Sequence, residues 1–525
     1  MLAVRDLSVS LAGRPVLTGI DFTIAPGEIL GLIGESGSGK SMTALALLRL
    51  LPEGFAQTGR VTLQNQALHA QSERAMCRVR GNRVGMIFQE PMTALNPLQS
   101  IGRQVAETLR LHRGQTTRAA RAEAAAVLAR VGLPAGDFPL TLYPHQLSGG
   151  QRQRVGIAIA IACRPDLLIA DEPTTALDVS TEAEILDLIR RLVAEDGLSV
   201  LFITHDLAVT STMADRVAVM QAGRIVETGP VSRVLRAPQH SYTQALLDAA
   251  RPGAAMKAAP TGDALIAVER LRRTYPGRRR HLFDRPPPLV AVDGVSFTLG
   301  KGERLGLVGA SGSGKSTLTR ALLGLEPRQG GTLCIDGTPV PASGAMPRAL
   351  RAKIQVVFQD PSGSFNPRHK VARLIAEPFH LHPAPPKGPA RARAVATALE
   401  AVGLRAGDAD RYIHEFSGGQ RQRIARARAL ILRPAALLLD EAVSALDVSV
   451  RGHILGLIDA LAREHGLALL FISHALHVVR SVTSRVMVMS AGRIVEEGPT
   501  AEVLTRPQHA YTRALLAAAP RFEGP

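Results

Sequence analysis

A glycine-rich phosphate-binding pattern occurs twice in this chain of 525 residues, and it constrains the fold more than any other feature. Both copies fit G-x-x-x-x-G-K-[ST], and each follows an apolar run that predicts a buried strand. Glycines let successive backbone N–H groups point at phosphate oxygens, and the following helix adds its positive N-terminal end. The copies are Gly34-Glu35-Ser36-Gly37-Ser38-Gly39-Lys40-Ser41 and Gly309-Ala310-Ser311-Gly312-Ser313-Gly314-Lys315-Ser316. The chain is predicted to bind two nucleoside triphosphates, with the lysines on phosphates and the final serines on Mg²⁺.

The repetition extends beyond these loops and indicates two homologous halves. Four matched pairs share an offset of 269 residues: Ser148 and Ser417, Glu172 and Glu441, His205 and His474, His240 and His509. A chain of this length exceeds what one hydrophobic core supports. We predict a first domain over 1–250, a short linker containing Pro and Gly over 251–263, and a second domain over 264–525. The second half also carries a basic, Pro-rich insert over 276–289.

Short apolar strands alternate with longer helical patterns in each half, which is typical of a parallel sheet in a three-layer α/β core. Segments rich in Ala, Arg, Glu and Leu at helical spacing predict a helical insert over 101–131 and another over 371–402. The predicted fold class is α/β, with two tandem P-loop NTPase domains that each carry a helical subdomain.

An acidic pair follows an apolar strand in each half, Asp171-Glu172 in the first and Asp440-Glu441 in the second. Open parallel sheets bind their ligands at the carboxyl ends of the strands. The two aspartates are predicted to hold Mg²⁺, most simply through water. The two glutamates are predicted to act on the attacking water, either as general bases or as groups that orient it.

Several further motifs together resemble the ATP-binding cassette (ABC) ATPases. Three kinds of motif carry the resemblance: signature loops at Ser148-Gly149-Gly150-Gln151 and Ser417-Gly418-Gly419-Gln420, Q-loop glutamines at Gln89 and Gln359, and switch histidines at His205 and His474. The resemblance implies that the glutamines sense Mg²⁺ and the water, and that the histidines contact the γ-phosphate. It also implies that each signature loop contacts the ATP held by the opposite cassette.

Composite sites of that kind would draw residues from both halves. One would combine Lys40, Gln89, Asp171, Glu172 and His205 with Ser417, Gly418 and Gly419. The other would combine Lys315, Gln359, Asp440, Glu441 and His474 with Ser148, Gly149 and Gly150. Both halves keep the full set, so two competent sites are expected.

Two departures between the halves concern contacts at the predicted sites. The resemblance implies that Tyr275 stacks on adenine, whereas the matching position in the first half is Leu11, so weaker nucleotide affinity is expected in the first pocket. Asp206 follows the first histidine but Ala475 follows the second, which predicts that a contact is missing from the second site.

The ends of the two halves indicate which branch of the ABC ATPases the chain resembles. Pro238-Gln239-His240-Ser241-Tyr242-Thr243 and Pro507-Gln508-His509-Ala510-Tyr511-Thr512 resemble the dipeptide, oligopeptide and nickel importer ATPases, in the form with two cassettes in one chain. We treat this ending as a family marker without a catalytic role. The resemblance implies two membrane-spanning permease subunits, each pressing a short helix into a groove near a Q-loop, and an extracytoplasmic solute-binding protein. Dipeptides, longer peptides, glutathione, a peptide antibiotic and nickel all remain open as the solute.

Composition and charge limit the predicted location of the chain and the kinds of partner that it could bind. No apolar run approaches the roughly 18–20 residues that cross a bilayer, and the first residues lack the layout of a secretory signal, so we expect a soluble chain in the cytoplasm unless a partner holds it at a membrane. The resemblance to importer ATPases implies a peripheral protein on the cytoplasmic face of the inner membrane. The net charge of +17 is compatible with nucleic acid, an anionic membrane surface or a basic proteome. No run of basic and aromatic residues resembles a stacking platform, so no nucleic acid is expected. The three cysteines are widely spaced and are predicted to be small buried residues.

A soluble twin-cassette ATPase acting on the ribosome is the main alternative. Its group has a long, charged, helical linker, whereas residues 251–263 are short and small. A DNA-repair ATPase fits less well, since coiled-coil heptads and zinc-binding cysteines are lacking in the sequence.

Overall fold

A computed structural model describes residues 1–89, 94–175, 177–250, 263–277, 286–358, 362–441, 456, 460 and 466–519. Gln359, the predicted linker except Asp263, and residues 278–285 of the predicted insert lie outside the described residues. The chain forms two compact units, one from the described residues up to 250 and one from those between 263 and 519.

The first unit contains an antiparallel sheet of four strands in the order β2-β1-β4-β5. Its strands are β1 (Leu2–Leu11), β2 (Arg14–Ile24), β4 (Phe55–Leu63) and β5 (Gln66–Ala67). The sequence analysis predicted a parallel sheet alone, so this sheet is an addition to the predicted fold. Its strands bury alternate residues, as expected for a sheet with one face on the core, but the alternation is broken at register shifts such as the one between Val4 and Leu7.

A second sheet of six strands forms the centre of the first unit, in the order β10-β9-β3-β8-β7-β6. These strands are β3 (Ile29–Ile33), β6 (Val84–Ile87), β7 (Leu167–Asp171), β8 (Ser199–Ile203), β9 (Arg216–Gln221) and β10 (Arg224–Pro230). All neighbours pair in parallel except β9 and β10. Every residue of β3, β7 and β8 is buried, because helices and the antiparallel sheet cover both faces.

Helices pack on this sheet and extend from it. They are α1 (Lys40–Leu47), α2 (Glu73–Val79), α3 (Ile101–Arg113), α4 (Thr117–Arg130), α5 (Gly149–Ile161), α6 (Val179–Asp196), α7 (Leu207–Met213), α8 (Val231–Arg236) and α9 (Ser241–Ala250), with a 3₁₀ turn at Pro144–Gln146. Helices α3 and α4 occupy the predicted helical insert. One apolar cluster joins α1 and α2 to the antiparallel sheet, and another joins α3 to α6 to the opposite face of the central sheet.

The second unit repeats this topology, with a four-stranded sheet β12-β11-β14-β15 and a six-stranded sheet β16-β17-β18-β13-β19-β20. Its strands are β11 (Ala264–Tyr275), β12 (Leu289–Gly300), β13 (Arg304–Val308), β14 (Gly330–Ile335), β15 (Thr338–Pro339), β16 (Ile354–Val357), β17 (Ala436–Asp440), β18 (Ala468–Ile472), β19 (Arg485–Ser490) and β20 (Arg493–Pro499). Its helices are α10 (Lys315–Leu322), α11 (Arg348–Lys353), α12 (Val371–Ile375), α13 (Gly388–Ala401), α14 (Gly418–Leu430), α15 (Leu476–Val482), α16 (Thr500–Thr505) and α17 (Ala510–Ala518). The described residues of this unit also contain 3₁₀ turns at Ser362–Ser364, Glu377–Leu381, Ala406–Asp410 and Ile413–Glu415.

The structure shows how far the three cysteines are buried and whether any described helix could span a membrane. Cys163 is buried and Cys334 half-buried, but Cys77 is exposed on α2, so the expectation of three buried cysteines was wrong for Cys77. Among the described residues, no helix combines the length and the apolar character needed to cross a bilayer.

Candidate functional site

Each phosphate loop connects the end of a buried strand to the start of a helix. Lys40 is 6% exposed, and its Nζ donates to the carbonyls of Gly34 at 2.8 Å and Glu35 at 2.9 Å. In the second unit, Lys315 Nζ donates to the carbonyls of Gly309 and Ala310 at the same two distances. The ammonium group is thus held inside its own loop. The loop leads into the N-terminus of a helix, where an anion such as a phosphate group is favoured.

Glycine is required at the first position of each loop. Gly34 has a φ of 153°, and a Cβ there would lie 2.2 Å from the carbonyl oxygen of Met220. Gly309 repeats this geometry with a φ of 158° and the same 2.2 Å approach to the carbonyl of Met489. The loops therefore pack directly on the backbone of β9 and β19, which fixes where the phosphate-binding N–H groups point.

The predicted magnesium aspartates end the strands β7 and β17 and are almost fully buried. Asp171 is 4% exposed and accepts a hydrogen bond of 3.1 Å from the Ser41 hydroxyl, which brings two predicted metal ligands together. Burial raises the pKa of Asp171 to about 6; the charge of Glu172 also raises it, and Ser41 and Lys40 oppose the shift. Burial and the charge of Glu441 likewise raise the pKa of Asp440 to about 6. A buried carboxylate beside a hydroxyl is an oxygen donor set that suits Mg²⁺.

The predicted catalytic glutamates are held by the switch histidines. Glu172 Oε1 lies 3.1 Å from His205 Nδ1, and Glu441 Oε1 lies 3.3 Å from His474 Nδ1. In the first unit, Glu172 Oε2 accepts from Gln89 Nε2 at 3.0 Å and from the Thr175 hydroxyl at 2.9 Å. The Q-loop glutamine, the acidic strand and the switch histidine of this unit therefore converge on one carboxylate.

These contacts set the protonation of Glu172. Burial alone would raise its pKa, but the hydrogen bond and charge of His205, with help from Thr175 and Lys40, lower the pKa to about 2. Such a carboxylate stays ionised and accepts protons weakly. In this arrangement it is better suited to orienting water than to taking a proton from it.

The signature loops occupy the N-termini of α5 and α14 rather than the strand ends. Ser148 accepts from the backbone N–H of Gln151 at 3.3 Å, while Gln151 Oε1 accepts from the N–H of Ser148 at 2.9 Å. Ser417 and Gln420 form the same reciprocal pair. These capping boxes define the helix starts and leave Ser148 and Ser417 exposed.

The two departures between the halves have structural counterparts. Tyr275 ends β11, its hydroxyl donates to Glu326, and the Arg273 guanidinium lies 4.3 Å from its ring centroid. Leu11 ends β1 and is 41% exposed. Asp206 caps α7 by accepting from the N–H groups of Ala208 and Val209 at 2.7 and 3.1 Å, whereas Ala475 starts α15 with no side-chain cap.

The structure adds two residues to the site that the sequence analysis set aside. The N–H of Glu35 donates to the hydroxyl of Tyr242 at 3.1 Å, and the N–H of Ala310 donates to that of Tyr511 at 2.9 Å. Both tyrosines belong to the P-x-H-x-Y-T endings. The recurrence of that ending at the same offset as the acidic pair was the available signal.

Comparison with known families gives two matches. The family described as ABC transporter matches residues 17–175 and again 292–444. The family described as oligopeptide/dipeptide transporter, C-terminal region, matches residues 226–266 and 495–525, which include Tyr242 and Tyr511.

Relatives match over almost the whole chain. The peptidoglycan transport ATP-binding protein YejF of Agrobacterium fabrum is 46% identical over 532 residues, covering 100% of this chain and 97% of the relative. The glutathione import ATP-binding protein GsiA of Escherichia coli K12 is 47% identical over 561 residues, covering 100% and 90%. The uncharacterized ABC transporter ATP-binding protein YejF of the same strain is 47% identical over 524 residues, covering 98% and 99%.

Proposed function

This chain belongs to the ABC transporter family and carries two of its ATPase cassettes, and from this premise we propose that it powers the import of di- or oligopeptides or a related solute such as glutathione. The observation that carries the proposal is the convergence of Lys40, Ser41, Asp171, Glu172 and His205 in one site. The match to the oligopeptide/dipeptide transporter region supports the peptide-type solute. The three relatives carry transport names, so the alternative of a ribosome-bound ATPase receives no support from them.

The reaction we propose is hydrolysis of ATP to ADP and phosphate at each cassette. Ser41 with Asp171, and Ser316 with Asp440, would hold Mg²⁺, with Gln89 and Gln359 as further predicted ligands. Bound Mg²⁺ would supply neutralisation of charge on the phosphate oxygens. Lys40 and Lys315 bind phosphate oxygens, and Glu172 and Glu441 orient the attacking water while the histidines hold their carboxylates in place. The predicted contact of the exposed Ser-Gly-Gly turns with nucleotide belongs to the same proposal and rests on the family resemblance.

Membrane permeases are the partners that the importer role requires. In the first unit, a cavity of about 550 Å³ opens between β6, α3 and α5. Three exposed apolar side chains line it: Leu50 at 38%, Phe88 at 45% and Leu111 at 74%. We propose that a permease segment docks in this cavity, against Phe88, the residue just before the Q-loop glutamine Gln89. Docking there would hold the chain at the cytoplasmic face of the membrane. A solute-binding protein outside would deliver the cargo to those permeases.

Glu172→Gln and Glu441→Gln variants test the chemistry. Each substitution keeps the side-chain shape but removes the charge that orients the water, so we expect the double variant to lose about 10²- to 10⁴-fold in kcat while it still binds ATP. ATPase rates and nucleotide binding measure the two effects separately. Glu184→Gln is the matched control, because the Glu184 side chain is 64% exposed and forms an ion pair with Arg154 on the surface of α5. Full turnover in the double variant would contradict the assigned chemistry.

Uptake tests the transport role. ATP-dependent accumulation of a peptide panel that includes glutathione, in vesicles with the permeases present, is expected with the intact chain and not with the double variant. Accumulation that is equal with both chains would contradict the proposal.

A further inference from the structure

We propose that Tyr242 and Tyr511 are positioning residues of the two ATP sites, acting through the backbone of the phosphate loops. This inference rests on the proposed function. We call each tyrosine hydroxyl, with the loop N–H that it accepts from, a tyrosine latch: Tyr242 on Glu35, and Tyr511 on Ala310.

The latched residue is one of the two loop residues whose carbonyls accept from the phosphate-binding lysine. Glu35 donates its N–H to Tyr242 and accepts from Lys40 Nζ through its own carbonyl, at 3.1 and 2.9 Å. Ala310 is held in the same way, by Tyr511 at 2.9 Å and by Lys315 Nζ at 2.9 Å. The tyrosine therefore fixes one side of the residue whose other side places the ammonium group.

The C-terminal segments hold the tyrosines in position by the same bonds in both units. Glu227 accepts from the N–H groups of Gln239 and His240 at 3.0 and 3.1 Å, and His240 Nδ1 accepts from the N–H of Tyr242 at 3.1 Å. Burial raises the pKa of Glu227, but the Thr243 hydroxyl and these N–H groups bring it below its ordinary value, so the carboxylate stays ionised.

The second unit repeats each bond. Glu496 accepts from the N–H groups of Gln508 and His509 at 2.7 and 3.1 Å, and His509 Nδ1 accepts from the N–H of Tyr511 at 3.1 Å. In both units the histidine acceptor sits at the start of the helix that carries the tyrosine. A preference for helix packing alone would not require a hydroxyl directed at the same loop position twice.

Helix α9 is also anchored beneath the loop. Leu246 and Leu247 are 5% and 4% exposed and share an apolar cluster with Ile33, the last residue of β3 before the loop begins. The tyrosine and the strand that leads into the loop therefore belong to one packed body. Removing the hydroxyl alone should loosen the loop without dismantling that body.

Tyr242→Phe and Tyr511→Phe in the full chain test the latch. The hydroxyl organises the empty loop, whereas bound phosphate holds the loop once ATP is present, so binding should suffer more than turnover. We expect Kd for a fluorescent ATP analogue and KM for ATP to rise about three- to tenfold, with kcat changed less than twofold. Tyr143→Phe and Tyr412→Phe are matched controls, since these tyrosines are 41% and 39% exposed and lie outside the loops.

A site-resolved version uses chains in which one phosphate lysine is replaced. Tyr242→Phe should weaken binding more in the Lys315→Ala chain than in the Lys40→Ala chain, and Tyr511→Phe should show the reverse. Unchanged Kd and KM would overturn the latch, as would equal losses at both sites with a lowered unfolding midpoint. Undiminished nucleotide binding by the Lys40→Ala, Lys315→Ala double variant would instead overturn the ATP sites themselves, and with them the latch.

Discussion

Glu172 and Glu441 adopt a backbone conformation that is uncommon for residues with a side chain. Their φ angles are +48° and +50°, and each donates its N–H to the last residue of the neighbouring strand, Ile203 or Ile472, at 2.9 Å. Strained backbone of this kind persists where the surrounding structure fixes it, and it concentrates at functional sites. The turn away from the strand is what directs each carboxylate toward its histidine.

At this scale the sequence predicted which residue types meet but not how they meet. The offset between the halves identified Glu172, His205 and their counterparts, and the hydrogen-bonded pairing of glutamate and histidine follows from where β7 and β8 end. The positive φ could not be predicted, because tertiary contacts determine it and no glycine marks it. The depressed pKa of Glu172 depends first on His205, with help from Thr175 and Lys40, and only the folded chain brings His205 and Lys40 close to this carboxylate.

Leu11 and Tyr275 give a prediction at the scale of single residues. If Tyr275 stacks on adenine, Tyr275→Leu should weaken nucleotide binding at the second site about three- to tenfold, and Leu11→Tyr should strengthen it at the first site by a similar factor. Binding of a labelled ATP analogue to chains that carry Lys40→Ala or Lys315→Ala measures each site. Tyr143→Leu is the control, since its ring stacks on His145 on another part of the surface. Equal affinities before and after both exchanges would argue against adenine stacking.

At the scale of secondary-structure elements, helices α7 and α15 both follow a switch histidine, but only α7 begins with a side-chain cap. Asp206 satisfies two N–H groups at the start of α7, and Ala475 has no side chain that reaches those of α15. Orphan N–H groups at a helix start are costly to leave unpaired, and a cap such as Asp is worth about 1 kcal/mol. The missing contact predicted from the sequence is therefore a helix cap.

Exchanging these caps is the test. Asp206→Ala should destabilise α7 by about 1 kcal/mol, and Ala475→Asp should stabilise α15 by a similar amount. Backbone hydrogen exchange in the two helices measures the change, faster in the first variant and slower in the second. Asp187→Ala serves as the control, because the Asp187 side chain is 67% exposed and forms an ion pair with Arg191 on its own helix. Unaltered exchange in both helices would show that the capping bonds contribute little.

The antiparallel sheets and the tyrosine latches mark the limits of prediction at the scale of elements. Fully buried parallel strands such as β7 are continuous apolar runs in the sequence, which is why a strand was predicted before each phosphate loop and each acidic pair. Strands β1 and β11 mix buried and exposed residues and contain register shifts, so their periodicity is interrupted and the sheets were missed. The latch of Tyr242 joins residues 207 apart, and no local pattern encodes such a contact.

For the whole molecule, the groove of the first unit leads to a prediction about assembly. A double variant, Phe88→Ser with Leu111→Ser, removes two large apolar side chains from its wall. We expect at least about a tenfold drop in the permease that co-purifies with the chain, while binding of ATP to the free chain is retained. Leu289→Ser is the matched control, because Leu289 is 65% exposed and lies outside the groove. Co-purification at the original level would contradict docking at this face.

The position of the latches along the polypeptide affects how mutations in the gene should be interpreted. Each tyrosine hydroxyl is encoded more than 200 codons downstream of the loop residue whose N–H it accepts. The separation is 207 codons for Glu35 and 201 codons for Ala310. A premature stop just before codon 511 would leave every proposed hydrolytic side chain in both units, yet it would remove nearly all of α17 together with the hydroxyl that holds the second phosphate loop. Such an allele would look functional in a motif survey and still import poorly when cellular ATP is scarce.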